Sequence, residues 1–111
     1  MLVDERTYLI RPGCLQQYLA RHCEVALPLM REYLGEPLAY FTSGDGVQDE
    51  FVHLWAYADA ADRETRRAKM YADPRWLTYR KETGERGWVV LQRNRLLTLV
   101  EGVGRIRGIG T

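Results

Sequence analysis

No long apolar run occurs in this 111-residue chain. Nothing approaches the roughly 20 residues needed to cross a bilayer, so no membrane partner is expected. The N-terminus shows no basic region followed by an apolar stretch, so no signal peptide is read and a cytoplasmic protein is expected. An excess of either charge is missing too. Lys+Arg is 16 against Asp+Glu 15, and a net charge of +1 gives no footprint for nucleic acid.

Cysteine is scarce. Cys14 and Cys23 lie nine positions apart in one predicted helix. At about 100° per residue they fall on opposite sides, more than two turns apart, which excludes an intramolecular disulfide. No Cys/His cluster has the spacing of a metal site, and the neighbours His22 and Cys23 point in different directions on a helix. Pro12-Gly13 is too short for a phosphate-cradling loop. No metal and no cofactor is expected.

What remains is ordinary globular material, 46% hydrophobic and 28% charged, sized for a single domain over residues 1–100. The last segment, residues 101–111, holds four glycines and reads as a tail or a dimer-crossing arm. Val3 to Arg11 alternates as a strand, with Arg6, Tyr8 and Ile10 on one face. A helix follows over about Gly13–Leu34, with an apolar stripe of Leu15, Leu19, Cys23, Ala26, Met30, Tyr33 and Leu34. Pro28 interrupts it and predicts a kink or break, and Gly35 is a C-cap candidate. His22 reads as solvent-facing.

Leu38–Ser43 and Phe51–Tyr57 form a hairpin around Gly44-Asp45-Gly46. Asp59 caps a helix over Ala60–Tyr71, whose inner stripe reads as Ala61, Thr65, Ala68 and Ala72. Asp73-Pro74 starts a second piece, which Gly84 and Gly87 end. Trp88–Val100 is the last strand. The order βαββαβ predicts an α+β, ferredoxin-like antiparallel sheet with both helices on one face.

The most informative stretch is Phe51-Val52-His53-Leu54-Trp55-Ala56-Tyr57. A period of two puts Phe51, His53, Trp55 and Tyr57 on one face and Val52, Leu54 and Ala56 on the other. The aromatic row is assigned to the uncovered face of the sheet. It is too apolar to leave in water, so a homodimer, packed sheet to sheet around a cavity, is expected to bury it.

Several short pieces in order resemble the NIPSNAP family: Glu5-Arg6-Thr7-Tyr8 with Pro12-Gly13, Leu27-Pro28-Leu29, His53-Leu54-Trp55-Ala56-Tyr57, Arg63 to Arg67, Asp73-Pro74-Arg75-Trp76 and Asn94-Arg95-Leu96-Leu97. The resemblance covers about residues 3–97. It implies a dimeric α+β barrel. That wider superfamily includes cofactor-free monooxygenases, polyketide cyclases, lactone isomerases and haem enzymes, with ligands held between the sheet and helices of each subunit. The resemblance supports a fold more firmly than a reaction.

Two functions follow as expectations. In the first, the chain is a cofactor-free acid/base enzyme for cyclisation, isomerisation or oxygenation of a small apolar or aromatic biosynthetic intermediate. His53, with an ordinary pKa near 6.5, would move protons. Arg6 or Asn94 would hold a developing oxyanion. Tyr8, Trp55, Tyr57 and Trp76 would shape the pocket, and Arg66 would reach its mouth. In the second, the His53 row is only dimer core and the chain is a non-catalytic binding or interaction module.

Overall fold

A computed structural model of the chain describes residues 1–103. Leu2–Ile10 forms β1, and the chain then reverses through Gly13, whose φ of 85° suits a residue without Cβ. The long predicted helix is three pieces in series: α1 (Leu15–Arg21), a π-helical turn (His22–Ala26) and α2 (Leu27–Leu34). Pro28 explains the join. It has no N–H for the carbonyl four residues back, and the Leu27 amide bonds instead to the His22 carbonyl, five residues back. Gly35, at φ 83°, ends α2.

The π turn also corrects the apolar stripe. In an α-helix each i+4 step drifts by about 40°. The wider turn absorbs that drift and keeps Tyr18, His22, Ala26, Met30 and Leu34 buried. Cys23, expected on the core stripe, is exposed, and His22, expected in solvent, is buried. Both cysteines are free thiols.

Ala39–Thr42 (β2) and Glu50–Tyr57 (β3) make the hairpin. Asp59 caps α3 (Ala60–Tyr71) by accepting from the Asp62 amide at 2.8 Å, and Asp73 caps α4 (Pro74–Arg86) by accepting from the Arg75 amide at 2.8 Å. Gly87, in the left-handed region at φ 63°, closes α4, whereas Gly84 lies within that helix. Val89–Thr98 is β4. The sheet is antiparallel in the order β2-β3-β1-β4, the ferredoxin-like arrangement. Residues 104–111, most of the expected tail, lie outside the described residues.

Directly opposed residues in an antiparallel sheet share a face. The registers Arg6↔His53, Tyr40↔His53 and Arg6↔Asn94 therefore put these four positions on one face. That face lies under the helices. Trp55 and Tyr57 pack with Leu29, Met30, Leu34, Met70 and Trp76, while Phe51 packs with Tyr8, Ile10, Tyr18 and Trp88. Fully buried side chains such as Phe51 and Met70 each contribute about 1.5–3 kcal/mol.

The expected assignment of faces is thus reversed. The aromatic row is covered within the single chain, and the open face carries Val52, Leu54 and Ala56 with Phe41, Leu91 and Leu97. The inner side of α3 differs as well. Arg67 and Met70 are its buried residues, and Ala61, Thr65, Ala68 and Ala72 are exposed. A buried carboxylate on β1, Asp4, draws Arg63 of α3 inward, and the long arginine stems pack where small residues were expected.

Candidate functional site

Between α1–α2, α3–α4 and the sheet lies a cavity of about 100 Å³. Its wall includes Arg6 and Tyr8 from β1, Tyr18 and His22 from the first helical segment, Arg67 and Tyr71 from α3, and Trp76, Tyr79 and Arg80 from α4. Three of these are arginines, and among the described residues no Asp or Glu lines the cavity. A larger hollow of about 460 Å³ lies against α2 and α4. It carries less chemistry, because its charged groups already pair: Arg21 with Glu82 through two 2.8 Å hydrogen bonds, and Arg75 with Glu32 at 3.0 Å.

Asp4 anchors one side of the smaller cavity. Its carboxylate is fully buried and receives Arg63 Nε at 3.0 Å, Arg6 Nη1 at 3.3 Å and Asn94 Nδ2 at 3.1 Å. Burial alone would raise its pKa, but Arg6, Asn94 and Arg63 outweigh burial and hold the carboxyl below its ordinary value. Arg6 also donates to the Tyr8 hydroxyl at 3.3 Å. Two guanidiniums thus share one carboxylate.

Arg67 differs from both. It is only 4% exposed, and no carboxylate pairs with it among the described residues. Its Nε and Nη2 donate to the Tyr71 hydroxyl at 2.8 and 2.5 Å, and its Nη1 has no hydrogen-bond partner. Buried arginines are normally paired with carboxylates, whereas the hydrogen-bond partner of this one is a phenol. Trp76 Nε1 and the Tyr79 hydroxyl, both from wall residues, are also buried without a hydrogen-bond partner.

His53 is 0% exposed and lies behind the wall, its ring 4.8 Å from Tyr8 and 5.7 Å from His22 between centroids. The Trp55 indole can only donate, and it donates to His53 Nδ1 at 2.7 Å. Nδ1 is therefore unprotonated, and in the neutral ring Nε2 carries the hydrogen. That Nε2 has no partner. Burial first, then the charges of His22, Arg6 and Arg67, push the pKa of His53 well below its ordinary value. In this arrangement the ring is a neutral hydrogen-bond donor at Nε2.

His22 is better built for moving a proton. Its Nε2 is 2.8 Å from the Tyr40 hydroxyl and its Nδ1 is 3.5 Å from the Tyr18 hydroxyl. Burial lowers its pKa to about 4, and raises those of Tyr18, Tyr40 and Tyr79. A neutral imidazole between two protonated phenols can relay a proton in either direction, by exchange of tautomers.

The sequence-selected residues divide accordingly. Arg6, Tyr8 and Trp76 line the cavity. His53, Trp55 and Tyr57 form the buried layer of β3 behind it. Asn94 is committed to Asp4, away from the wall. Arg66 points outward and pairs with Asp62 at 2.7 Å; its neighbour Arg67 takes the inward place. Asp4 and Tyr18 were missed, as were the roles of His22 and Arg67. The i, i+4 spacing of Tyr18 and His22 was a readable signal, as was Asp4 sharing the face of Arg6. Among the described residues no group of three or more His, Cys, Asp or Glu could hold a metal, and no helix is long and apolar enough to cross a membrane.

Comparison with known proteins gives a consistent result. The NIPSNAP family model matches residues 3–102. A NIPSNAP family protein of Agrobacterium tumefaciens is 31% identical, with a TM-score of 0.85, covering 91% of this chain and 94% of its own. An uncharacterized NIPSNAP domain protein of Burkholderia xenovorans is 25% identical, with a TM-score of 0.87, covering 95% of this chain and 100% of its own. An antibiotic biosynthesis monooxygenase, 19% identical with a TM-score of 0.60 over 90% of this chain and 99% of its own, shares the fold. No curated protein matches the chain significantly.

Proposed function

The chain belongs to the NIPSNAP family, and we propose that it is a cofactor-free acid/base enzyme acting on a small carbonyl compound of biosynthetic origin. One observation carries this reading: an arginine-lined cavity without carboxylates, whose wall also holds an imidazole linked to two phenols. Cyclisation, isomerisation and oxygenation of such compounds can share a first step. A C–H bond beside a carbonyl breaks, the proton goes to a base, and the electron pair moves onto the carbonyl oxygen. His22 would take the proton and return it through Tyr18 or Tyr40. Arg6 and Arg67 would stabilise the oxyanion.

The homodimer belongs to the same proposal. Phe41 is 53% exposed and Leu91 51% exposed on the open face, beside Val52 and Leu54. A second copy applied face to face would remove this surface from water. A binding module without catalysis is the rival, favoured by the small volume of the cavity, which is below the 300–1,000 Å³ of common ligand pockets.

The test is C–H exchange in D2O, followed by NMR, for a panel of small ketones and 1,3-dicarbonyl compounds. The wild-type chain should accelerate exchange beside the carbonyl, and His22→Gln should lower that rate by roughly a hundredfold or more while the fold is kept. Exchange that is absent across the panel, or unchanged in His22→Gln, would leave the binding-module reading in its place.

A further inference from the structure

We infer that the ligand of this cavity is a small oxo acid, with its carboxylate on Arg67 and its carbonyl oxygen among the neighbouring donors. The inference rests on the reading of the cavity as a substrate site. It adds the charge and size of the molecule.

Charge comes first. Arg6 already has Asp4, but Arg67 has no carboxylate among the described residues, and Arg80 adds a third guanidinium to the wall. A buried guanidinium left unpaired is costly, and a bound carboxylate is the simplest group that removes the cost. Arg67 still has Nη1 to offer.

Hydrogen-bond polarity comes second. The unpartnered polar atoms of the wall residues are rich in donors. Arg67 Nη1 and Trp76 Nε1, both from wall residues, can only donate, and the Tyr79 hydroxyl can donate as well as accept. A ligand that satisfies them must present several acceptor oxygens. A hydrocarbon or a simple aromatic ring would leave them all unmet, and an amine would add like charge beside Arg67.

Size comes third. A volume of about 100 Å³ equals that of about three waters in the liquid, enough for a short acid but not for an enclosed polycyclic molecule. A larger substrate would insert only its oxo-acid end.

The experiment uses the full chain and four named probes: pyruvate and 2-oxobutanoate, against the neutral pyruvamide and butanone. Affinities are measured by calorimetry at pH 7 and low salt. The acids should bind roughly tenfold or more tighter than their neutral counterparts. Arg67→Met should remove that preference. It should not lower the melting temperature of the free protein, because an apolar side chain replaces an unpaired buried charge. Arg66→Met, on the outer side of α3, should leave the preference intact.

Equal affinity for pyruvate and pyruvamide, or an unchanged preference in Arg67→Met, overturns the inference. So does a marked loss of stability in Arg67→Met with the preference kept, since Arg67 would then serve the fold through Tyr71. If Arg67→Met does not fold, the wild-type preference for acid over amide decides. This outcome separates from that of the exchange assay. Acids that bind without any exchange would sink the catalytic reading and leave the ligand class standing. Exchange of ketones with no preference for the acid would do the reverse.

Discussion

The two faces of β3 look alike on paper and behave differently in the fold. Phe51, His53, Trp55 and Tyr57 go under the helices, and Val52, Leu54 and Ala56 face outward from the open side. Both sets are apolar enough to be core. What separates them is what each polar tip can reach. The covered row has atoms that need partners, and the packed layer supplies some of them: Trp55 donates to His53, while His22 and Tyr40 bond to each other beside that ring. The open face needs no such partners. Its charges pair across strands in solvent, Glu5 with Arg95 at 2.7 Å and Glu50 with Arg93 at 3.6 Å. Polar tips on aromatic residues thus mark the face that will be enclosed.

The sharpest test of that contrast compares neighbours on β1. Asp4 is on the covered face and Glu5 on the open one, and each receives an arginine. Asp4→Ala leaves Arg6 and Arg63 without their shared carboxylate and should cost about 3–5 kcal/mol. Glu5→Ala should cost about 0–1 kcal/mol, since its pair is solvated. Urea unfolding at pH 7 measures both. Similar losses at the two positions would dissolve the distinction. The sign of the pH effect follows from the lowered pKa of Asp4. Its contribution is present above the ordinary carboxyl range and is lost as pH falls through the lowered value.

A second difference lies in titration. The covered layer holds both histidines, each buried and neutral. The unfolded chain binds protons below about pH 6.5, while folded His22 does so only near pH 4. Stability from the neutral ring is therefore full above about 6.5 and declines as pH falls toward 4. For His22 alone the loss across that window should reach about 3 kcal/mol. Unfolding free energies at pH 7, 6, 5 and 4 would trace the slope. A folded His22→Gln variant should flatten it, and an unaltered slope would place the acid sensitivity elsewhere.

The fold was largely legible because its signals are local. Alternation gave the strands, and Asp59, Asp73, Gly35 and Gly87 marked helix ends through their own backbone chemistry. The order βαββαβ then fixed the ferredoxin-like sheet. The site was less legible because its geometry depends on two displacements that sequence periodicity conceals. Pro28 imposes a π turn, which rotates Cys23 out and keeps His22 in. Asp4 pulls Arg63 toward the sheet, which turns Arg67 inward and Arg66 outward on the same helix. The reversed faces have a third cause. Alternation identifies two faces but not which one the helices cover.

The open face provides the smallest effect and the most selective one. Val52 lies opposite Thr7 and Phe41 on that face. Val52→Asp adds a charge where the single chain already meets solvent, so the fold should change by no more than about 1 kcal/mol. In a face-to-face homodimer the same charge would be enclosed against apolar surface without a partner, a cost large enough to separate the copies. Light scattering after size exclusion should therefore find a wild-type dimer and a folded Val52→Asp monomer. If the variant remains dimeric, the contact uses another surface. If it unfolds at low concentration, the open face is core in its own right. Binding of pyruvate should survive the substitution, because Val52 faces the open side of the sheet and the cavity lies on the opposite side.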